Sequence, residues 1–178
     1  MLKKEAKKFG VKINFKVADF CKLENQIDGL FDVVISFDNS IPHLLDDRVI
    51  TLAFKNIGSK LHKNGLFLAS IRDYDQILKE KPSITTPYYY NDEQGKRVIF
   101  QVWEWDERIY TLHHFIIKEE KETWKTKHCS TKYRAILRSE MNLILETTDF
   151  SGINWHMPEQ SGFYQPIISA IKDEAIVG

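Results

Sequence analysis

Apolar residues recur along this chain at two periods, and each change of period marks an element. Residues 11–17 alternate, with Val11, Ile13, Phe15 and Val17 set against Lys12, Asn14 and Lys16, which is the pattern of a strand. Residues 2–9 before them read as the tail of a helix closed by Gly10. Residues 30–37 carry the run Leu30-Phe31-Asp32-Val33-Val34-Ile35, typical of a strand buried on both faces. The period then lengthens. Ile50, Ala53, Ile57 and Leu61 recur at spacings of three and four, an apolar helix stripe. Asp46 or Asp47 can cap its start. Lys60, His62 and Lys63 suit the C-terminal end of its dipole, and Asn64-Gly65 is expected to end it. Residues 66–71 read as another buried strand. Strand, helix and strand with short connections predict a βαβ unit, hence a parallel sheet with a right-handed crossover.

Past Pro82 and Pro87 the character changes. Residues 97–105, 109–117 and 123–131 are rich in β-formers and are separated by charged turns, which predicts an antiparallel meander. Ser139 can cap a short helix carrying Met141, Ile144 and Leu145. Residues 165–171 read as a last strand, with Pro166 at its start where no amide donor is needed. The α/β pattern returns after the meander. Residues 1–178 are therefore expected to form one domain, with 88–131 as an antiparallel β insertion.

Composition narrows the function. A chain of 178 residues suits one domain with a real core. Lys+Arg and Asp+Glu both number 25, so no global field favours nucleic acid or an anionic membrane. No apolar run is long enough to predict a membrane span. The stretch MLKKEAKKFG lacks the apolar region of a signal peptide. Cys21 and Cys129 are too few for a disulfide framework and match no zinc spacing, which points to a reduced, cytoplasmic setting. His113, His114, His128 and Cys129 could approach one another across strands. Neighbours in a strand face opposite sides, however, so His113 and His114 cannot share a metal, and none is expected. Trp103, Trp105 and Trp124 could stack bases. They read more simply as the core of the meander, and nucleic acid is not an expected partner.

Ligands of open α/β sheets sit beyond the carboxyl ends of the strands. Those ends here are Asp19-Phe20, Phe37-Asp38-Asn39-Ser40 and Arg72-Asp73-Tyr74. The Asp19 carboxylate can accept from an exocyclic amine while Phe20 packs on a base. Equally, Asp19 can begin a turn and Phe20 return to the core. Asn39, Ser40 and His43 can line a site or form a turn with the histidine under the next helix. Arg72 can read a carboxylate through its planar fork, or pair with Asp73 or Asp75 at the surface. Tyr74 can pack beneath it or form a lid. The triplet Tyr88-Tyr89-Tyr90, between prolines, is a packed loop cover or the wall of a site.

Two stretches add a resemblance. DVVISFDNSIPHL is similar to the motif after the fourth strand of glycine and sarcosine N-methyltransferases and their small-molecule relatives, where an Asn-Ser pair precedes a His-Leu pair. NGLFLASIRDYDQIL is similar to the same group's fifth strand and its Arg-x-Tyr-Asp exit. STKYRAILRSEMNLILETTDFSGI and FYQPIISAIK resemble its closing helix and last strand. From about Ile13 to its end, the chain thus resembles a class I S-adenosylmethionine-dependent methyltransferase. The resemblance implies a Rossmann-like α/β sheet with an antiparallel β insertion, S-adenosyl-L-methionine as cofactor, and methyl transfer to a small-molecule amine, amino acids included. It places Asp19, Phe20, Phe37, Asn39 and His43 beside the cofactor, and Asn39, Arg72 and Tyr89 beside the acceptor. Transfer to a neutral amine is mostly a matter of proximity and orientation, so no catalytic acid–base dyad is expected.

The pattern also departs from that group. Its glycine-rich loop, Asp/Glu-x-Gly-x-Gly-x-Gly, occurs nowhere here, and its ribose-binding acid would precede Met1. The resemblance therefore implies an N-terminally truncated sheet in which strand 11–17 loses both neighbours. Weak or absent cofactor binding by this chain alone is expected. Exposed strand edges at 11–17 and 30–37 favour self-association or a partner chain. The rival expectation is a non-catalytic methyltransferase-like fragment or subunit that needs a partner to complete the cofactor site.

Overall fold

The computed structural model describes residues 6–173. Residues 6–8 are helical and close at Gly10: its amide reaches Lys7 O at 3.2 Å, and its φ of 66° turns Val11 N back to Ala6 O at 3.0 Å. The first residues of the helix expected at 2–9 lie outside the described residues. The strand expected at 11–17 does not form. Its backbone joins no ladder, and Val17 is 99% exposed. Alternation makes a segment able to pair, but a strand exists only where another strand takes its amides and carbonyls.

A 3₁₀ turn, Phe20–Lys22, and a short helix α1 (Leu23–Gln26) follow, docked on the helix Asp47–Gly58. Glu24 N donates to Asn56 Oδ1 at 3.1 Å, and Lys60 Nζ donates to Glu24 O at 3.0 Å. Strand β1 (Phe31–Ser36) leads through the 3₁₀ turn Ile41–His43 to α2 (Asp47–Gly58), and then β2 (Leu61–Ser70) and α3 (Tyr74–Glu80). Asp46 caps α2, with its side chain accepting from Arg48 N at 2.8 Å. The expected stripe is in place, since Ile50, Ala53 and Ile57 are fully buried and Leu61 nearly so.

The helix stops at Gly58, however, and not at Asn64-Gly65. Those two residues sit inside β2, at an irregularity where the register jumps from Phe31↔Leu61 to Val33↔Leu66. Asn64 has φ of 59°, and a Cβ on Gly65 would lie 2.8 Å from His62 O. A turn-forming Asn-Gly can kink a strand as readily as it ends a helix.

Four antiparallel strands come next: β3 (Tyr88–Asp92), β4 (Gly95–Asp106), β5 (Ile109–Glu120) and β6 (Thr123–Arg134). The tyrosine triplet belongs to β3 and not to a loop. Helix α4 (Arg138–Glu146), β7 (Phe150–His156), α5 (Pro158–Ser161) and β8 (Ile167–Lys172) complete the described chain. Helix α4 begins one residue before the expected Ser139 cap, where Glu140 Oε2 takes the amide of Leu137 at 2.9 Å.

The first sheet has the order β1-β2-β8-β7. Its β1–β2 pair is parallel, and β8 is antiparallel to both its neighbours. Phe54 and Ile57 of α2 and Met141 and Leu145 of α4 share a core with Phe67, Ala69, Ile168 and Ala170 on one face of this sheet. Trp103, Tyr110 and Leu112 of the second sheet join the same core, so the two sheets are not separately packed.

The expectation that β1 is buried on both faces fails. Phe31, Val33 and Ile35 are 43%, 45% and 59% exposed, and only Val34 packs on the core. Strand β1 is an edge of the sheet, and the helices cover one face only. On the other face Val33, Leu66 and Ile171 stand in register across three strands.

Candidate functional site

The carboxyl ends of β1 and β2 lie side by side, and the chain after each is tied to the other. After β1, Asp38 and Asn39 both take φ of 61°, uncommon for residues bearing a Cβ. The turn holds because β2 receives it. Asp38 N donates to Ser70 Oγ at 2.8 Å and Asn39 N to Ser70 O at 3.1 Å. Ser70 Oγ in turn donates to Gln165 Oε1 at 3.1 Å, which links the turn to the segment before β8.

Asn39, 2% exposed, is the hub. Its Oδ1 accepts from Arg72 N and from Tyr74 Oη, each at 3.1 Å. Arg72 Nη1 donates to Tyr110 Oη at 2.8 Å, and the two tyrosine hydroxyls lie 2.9 Å apart. The proton positions follow. Arg72 can only donate and Asn39 Oδ1 can only accept, so Tyr110 donates to Tyr74 and Tyr74 to Asn39. The loop Arg72–Tyr110–Tyr74–Asn39–Arg72 is closed. Burial pushes the pKa of Tyr74 well above the ordinary phenol value and raises those of Tyr110 and Tyr133, so all three hydroxyls are protonated at neutral pH.

The guanidinium of Arg72 sits in an aromatic frame, 4.8 Å from the Trp103 ring and 5.3 Å from that of Tyr133. Trp103 stacks on Tyr110 at 4.6 Å and 4°, and Tyr133 lies on the other side of Tyr110 at 5.4 Å. Burial opposes the Arg72 charge, but the oxygens of Tyr110 and Tyr74 outweigh it and hold its pKa above the ordinary value. The surface pairing open in the sequence is not made. Arg138 takes Asp73 at 2.7 Å and Asp75 at 3.5 Å, and Arg72 has no carboxylate partner among the described residues. Two buried donors beside it, Asn39 Nδ2 and Trp103 Nε1, have no hydrogen-bond partner among the described residues.

Arg72 opens on a cleft of ≈ 510 Å³ that is also lined by Asp38, Gln101, Glu159, Tyr164 and Gln165. Tyr164 Oη donates to Asp38 Oδ1, which raises the pKa of the phenol. Phe37 is half-buried against Phe163, ring centroids 5.3 Å apart. His43 joins the edge of the frame, 4.2 Å from the Tyr133 ring, with Nδ1 3.4 Å from Thr131 Oγ1.

Of the residues expected from the sequence, the fold brings Asn39 and Arg72 into one network, with His43 in ring contact with Tyr133. Asp19 and Phe20 share no contact with it. Asp19 Oδ1 caps the 3₁₀ turn by accepting from Cys21 N at 2.9 Å, and Phe20 packs against the core. Tyr89 pairs with Val98, which puts it on the face of the second sheet opposite Trp103. Tyr88 and Tyr90 share the Trp103 face. Tyr110, Tyr133, Gln165 and Tyr164 are members that the sequence did not single out, and Trp103 was read only as core or as a base-stacking ring. Alternation puts Trp103, Trp105, Tyr110 and Leu112 on one face of a meander, but nothing local says that this face meets Arg72.

The histidines do not gather around a point. His113 Nδ1 faces His128 Nε2 at 2.9 Å, its Nε2 faces Glu104 at 3.2 Å, and His114 is paired with Cys129 in the ladder. Among the described residues no group of three His, Cys, Asp or Glu side chains is placed to hold a metal. No described helix is long and apolar enough to cross a membrane.

No protein-family profile and no curated protein matches the chain. Solved structures do. A S-adenosylmethionine-dependent methyltransferase from Clostridium acetobutylicum superposes with a TM-score of 0.79 at 15% identity, over 97% of this chain and 70% of that one. DesVI from Streptomyces venezuelae gives 0.76 at 8% identity, over 96% and 70%. The sugar N-methyltransferase KedS8 from a Streptoalloteichus species gives 0.71 at 11% identity, over 88% and 61%. The fold is the Rossmann-like one of class I methyltransferases, and this chain spans 61–70% of the length of those three proteins.

Proposed function

We propose that this chain serves S-adenosylmethionine-dependent methyl transfer to a small-molecule amine, and that the acceptor carries a carboxylate, as an amino acid does. The observation that carries the acceptor class is Arg72: a largely buried cation framed by aromatic rings, opening on a cleft, and in ion-pair contact with no carboxylate of the described residues. A buried charge persists where something pairs with it. A guanidinium only donates, so the site asks for acceptor oxygens. Asp38 and Glu159 on the same cleft offer oxygens that can accept from an amine N–H. An amino sugar offers hydroxyls but no counter-charge for the guanidinium. Sarcosine-like and glycine-like acceptors match both ends.

On this reading Arg72 holds the acceptor carboxylate, and Gln101 and Gln165 offer amide groups at the cleft wall. The rings of Trp103, Tyr110 and Tyr133 keep water from the guanidinium. The cofactor, when bound, supplies an electrophilic methyl carbon. This chain's part is to hold a neutral amine in line with it. Phe37, Asn39 and His43 are assigned to the cofactor side, and Asp19 and Phe20 to its adenine, with Asp19 Oδ2 outside the local cap. Tyr89, on the face of the second sheet opposite Trp103, is not assigned to the acceptor side. The fit is partial. Asn39 and Arg72 share one network, whereas Asp19 and Phe20 make no hydrogen bond or ring contact with it among the described residues.

A second reading has its own support: a methyltransferase-like subunit whose cofactor site is completed by a partner chain. The exposed edge and bare face of β1 favour it. Calorimetry of the purified chain with S-adenosylhomocysteine separates the two. Micromolar binding weakened by Asp19→Ala supports cofactor binding by the chain itself, and absence of heat supports the subunit. The acceptor class is tested apart from the cofactor, by NMR titration with sarcosine and with an amino sugar. Sarcosine is expected to shift the Trp103 indole resonance in the wild type and not in Arg72→Met. Preference for the amino sugar would defeat the carboxylate assignment.

A further inference from the structure

The structure leaves two halves of a ladder unmade in the same chain. One is residues 11–17, which alternate apolar and polar and join no strand among the described residues. The other is the free edge of β1, six residues long, whose Phe31, Val33 and Ile35 are 43–59% exposed. Each lacks what the other offers. Within a single copy they do not meet. Residues 19–26 between them are held on α2, where Cys21 Sγ lies 3.7 Å from Val49 O and Glu24 N bonds Asn56.

We propose that a second copy of this chain is the occupant of the β1 edge, through reciprocal exchange in which residues 11–17 of each protomer add as a strand to β1 of the other. Three features of the chain support it. The lengths match, a seven-residue segment against the six residues of β1. The patterns match, because Val11, Ile13, Phe15 and Val17 would extend the uncovered apolar face that Val33 and Ile35 begin. The charges match as well. Lys12 and Lys16 fall on the other face, toward the Asp32 side of β1, and Lys16 already leans on the exposed carboxylate of Asp28 at 3.6 Å. Such an exchange is isologous, so it closes at two copies and removes both free edges at once. The inference rests on strand geometry and charge and is independent of the methyl-transfer reading.

Sedimentation equilibrium of the 178-residue chain from about 5 to 200 μM, with hydrogen exchange of its backbone amides, is the test. The expected result is a species of twice the 20.9 kDa chain mass, with slowed exchange at residues 12–16 and along β1. Asn14→Pro removes an amide donor from a segment outside the hydrophobic core, so the protomer still folds and melts as the dilute wild type does, while the dimer is lost. Ile35→Lys is expected to abolish the dimer from the other side. Leu143→Lys, an exposed apolar position on α4, is expected to leave it intact. A wild-type monomer at 200 μM, or a dimer that survives Asn14→Pro, would overturn the proposal. Survival would mean that the copies meet elsewhere.

Discussion

The corner around Asn39 and the edge at β1 lie at two ends of the same turn and are built on opposite terms. At the corner, polar groups are buried and answer one another: Arg72, Tyr110, Tyr74 and Asn39 close a loop of hydrogen bonds, with Ser70 and Gln165 behind it. At the edge, apolar groups are exposed and the backbone is unanswered. The corner is finished apart from one cation that opens on a cleft, which is what a small ligand can satisfy. The edge lacks a whole strand, which only a polypeptide can satisfy. A fold can thus carry two kinds of incompleteness side by side, and the scale of what is missing indicates the kind of partner.

The comparison breaks if the covered and uncovered faces of the first sheet respond alike to truncation. Phe54 is fully buried, edge-on to Phe67 at 5.5 Å. Phe54→Ala is expected to cost about 3–5 kcal/mol in urea denaturation, the usual range for a buried phenylalanine. Val33→Ala, on the uncovered face, is expected to cost a small fraction of that. Equal losses would mean that Val33 is buried in solution, hence that the edge is already covered.

The corner is sharpened by Tyr74→Phe. The substitution removes one hydroxyl, leaving Tyr110 without its acceptor and Asn39 Oδ1 with one donor in place of two. A loss of about 1–3 kcal/mol is expected, since a buried donor stranded this way keeps its desolvation cost. Tyr88→Phe, at an exposed hydroxyl on β3, is expected to change stability by less than about 0.5 kcal/mol. If Tyr74→Phe is equally silent, the loop is a coincidence of geometry and not a device.

How much of this was legible follows the same division. The stripe Ile50, Ala53, Ile57 was readable because a helix that buries one face must repeat at its own period. The parallel β1–β2 pair and the meander were readable for a like reason. What failed was whatever depends on neighbours. Residues 11–17 and β1 have strand patterns, but pattern records the ability to pair and not the presence of a partner. Asn64-Gly65 carries the chemistry of a turn wherever it falls, and β2 used it for a bulge. Residues 150–156, which form β7, were passed over because Gly152, at φ of 58°, interrupts the alternation. Asn39 and Arg72 were found because they end strands at the sheet's carboxyl edge. Tyr110 was not, since its role arises from two sheets sharing a core, which no local window contains.

A smaller effect distinguishes the rim of the corner from its centre. His43 has its pKa lowered, by burial first and by the Arg72 charge, against the opposing pull of the Lys132 backbone. Its folded pKa therefore lies below the unfolded value. The unfolded chain then binds the proton more readily between the two values. Stability from this site is full above the unfolded pKa of about 6.5 and declines as pH falls through the folded one. His43→Gln is expected to flatten that acid slope and leave stability at pH 8 nearly unchanged. A steeper slope in the variant would reverse the sign and place His43 beside a carboxylate.

The smallest expected effect says most about the edge. Ile35→Thr keeps a β-branched side chain in the strand and removes apolar surface that is 59% exposed. In the isolated protomer it should change stability by less than about 0.5 kcal/mol, because little of that side chain is withdrawn from water. Exchange between copies changes the expectation in one respect only. The wild type should then melt at a temperature that rises with protein concentration, since a dimer's stability depends on its protomers, and Ile35→Thr should weaken that dependence. Melting from about 5 to 200 μM reads both quantities from one pair of proteins. A concentration-independent wild type would leave the edge bare in solution. A rising melting temperature that Ile35→Thr does not alter would mean that association leaves Ile35 where it is, in water.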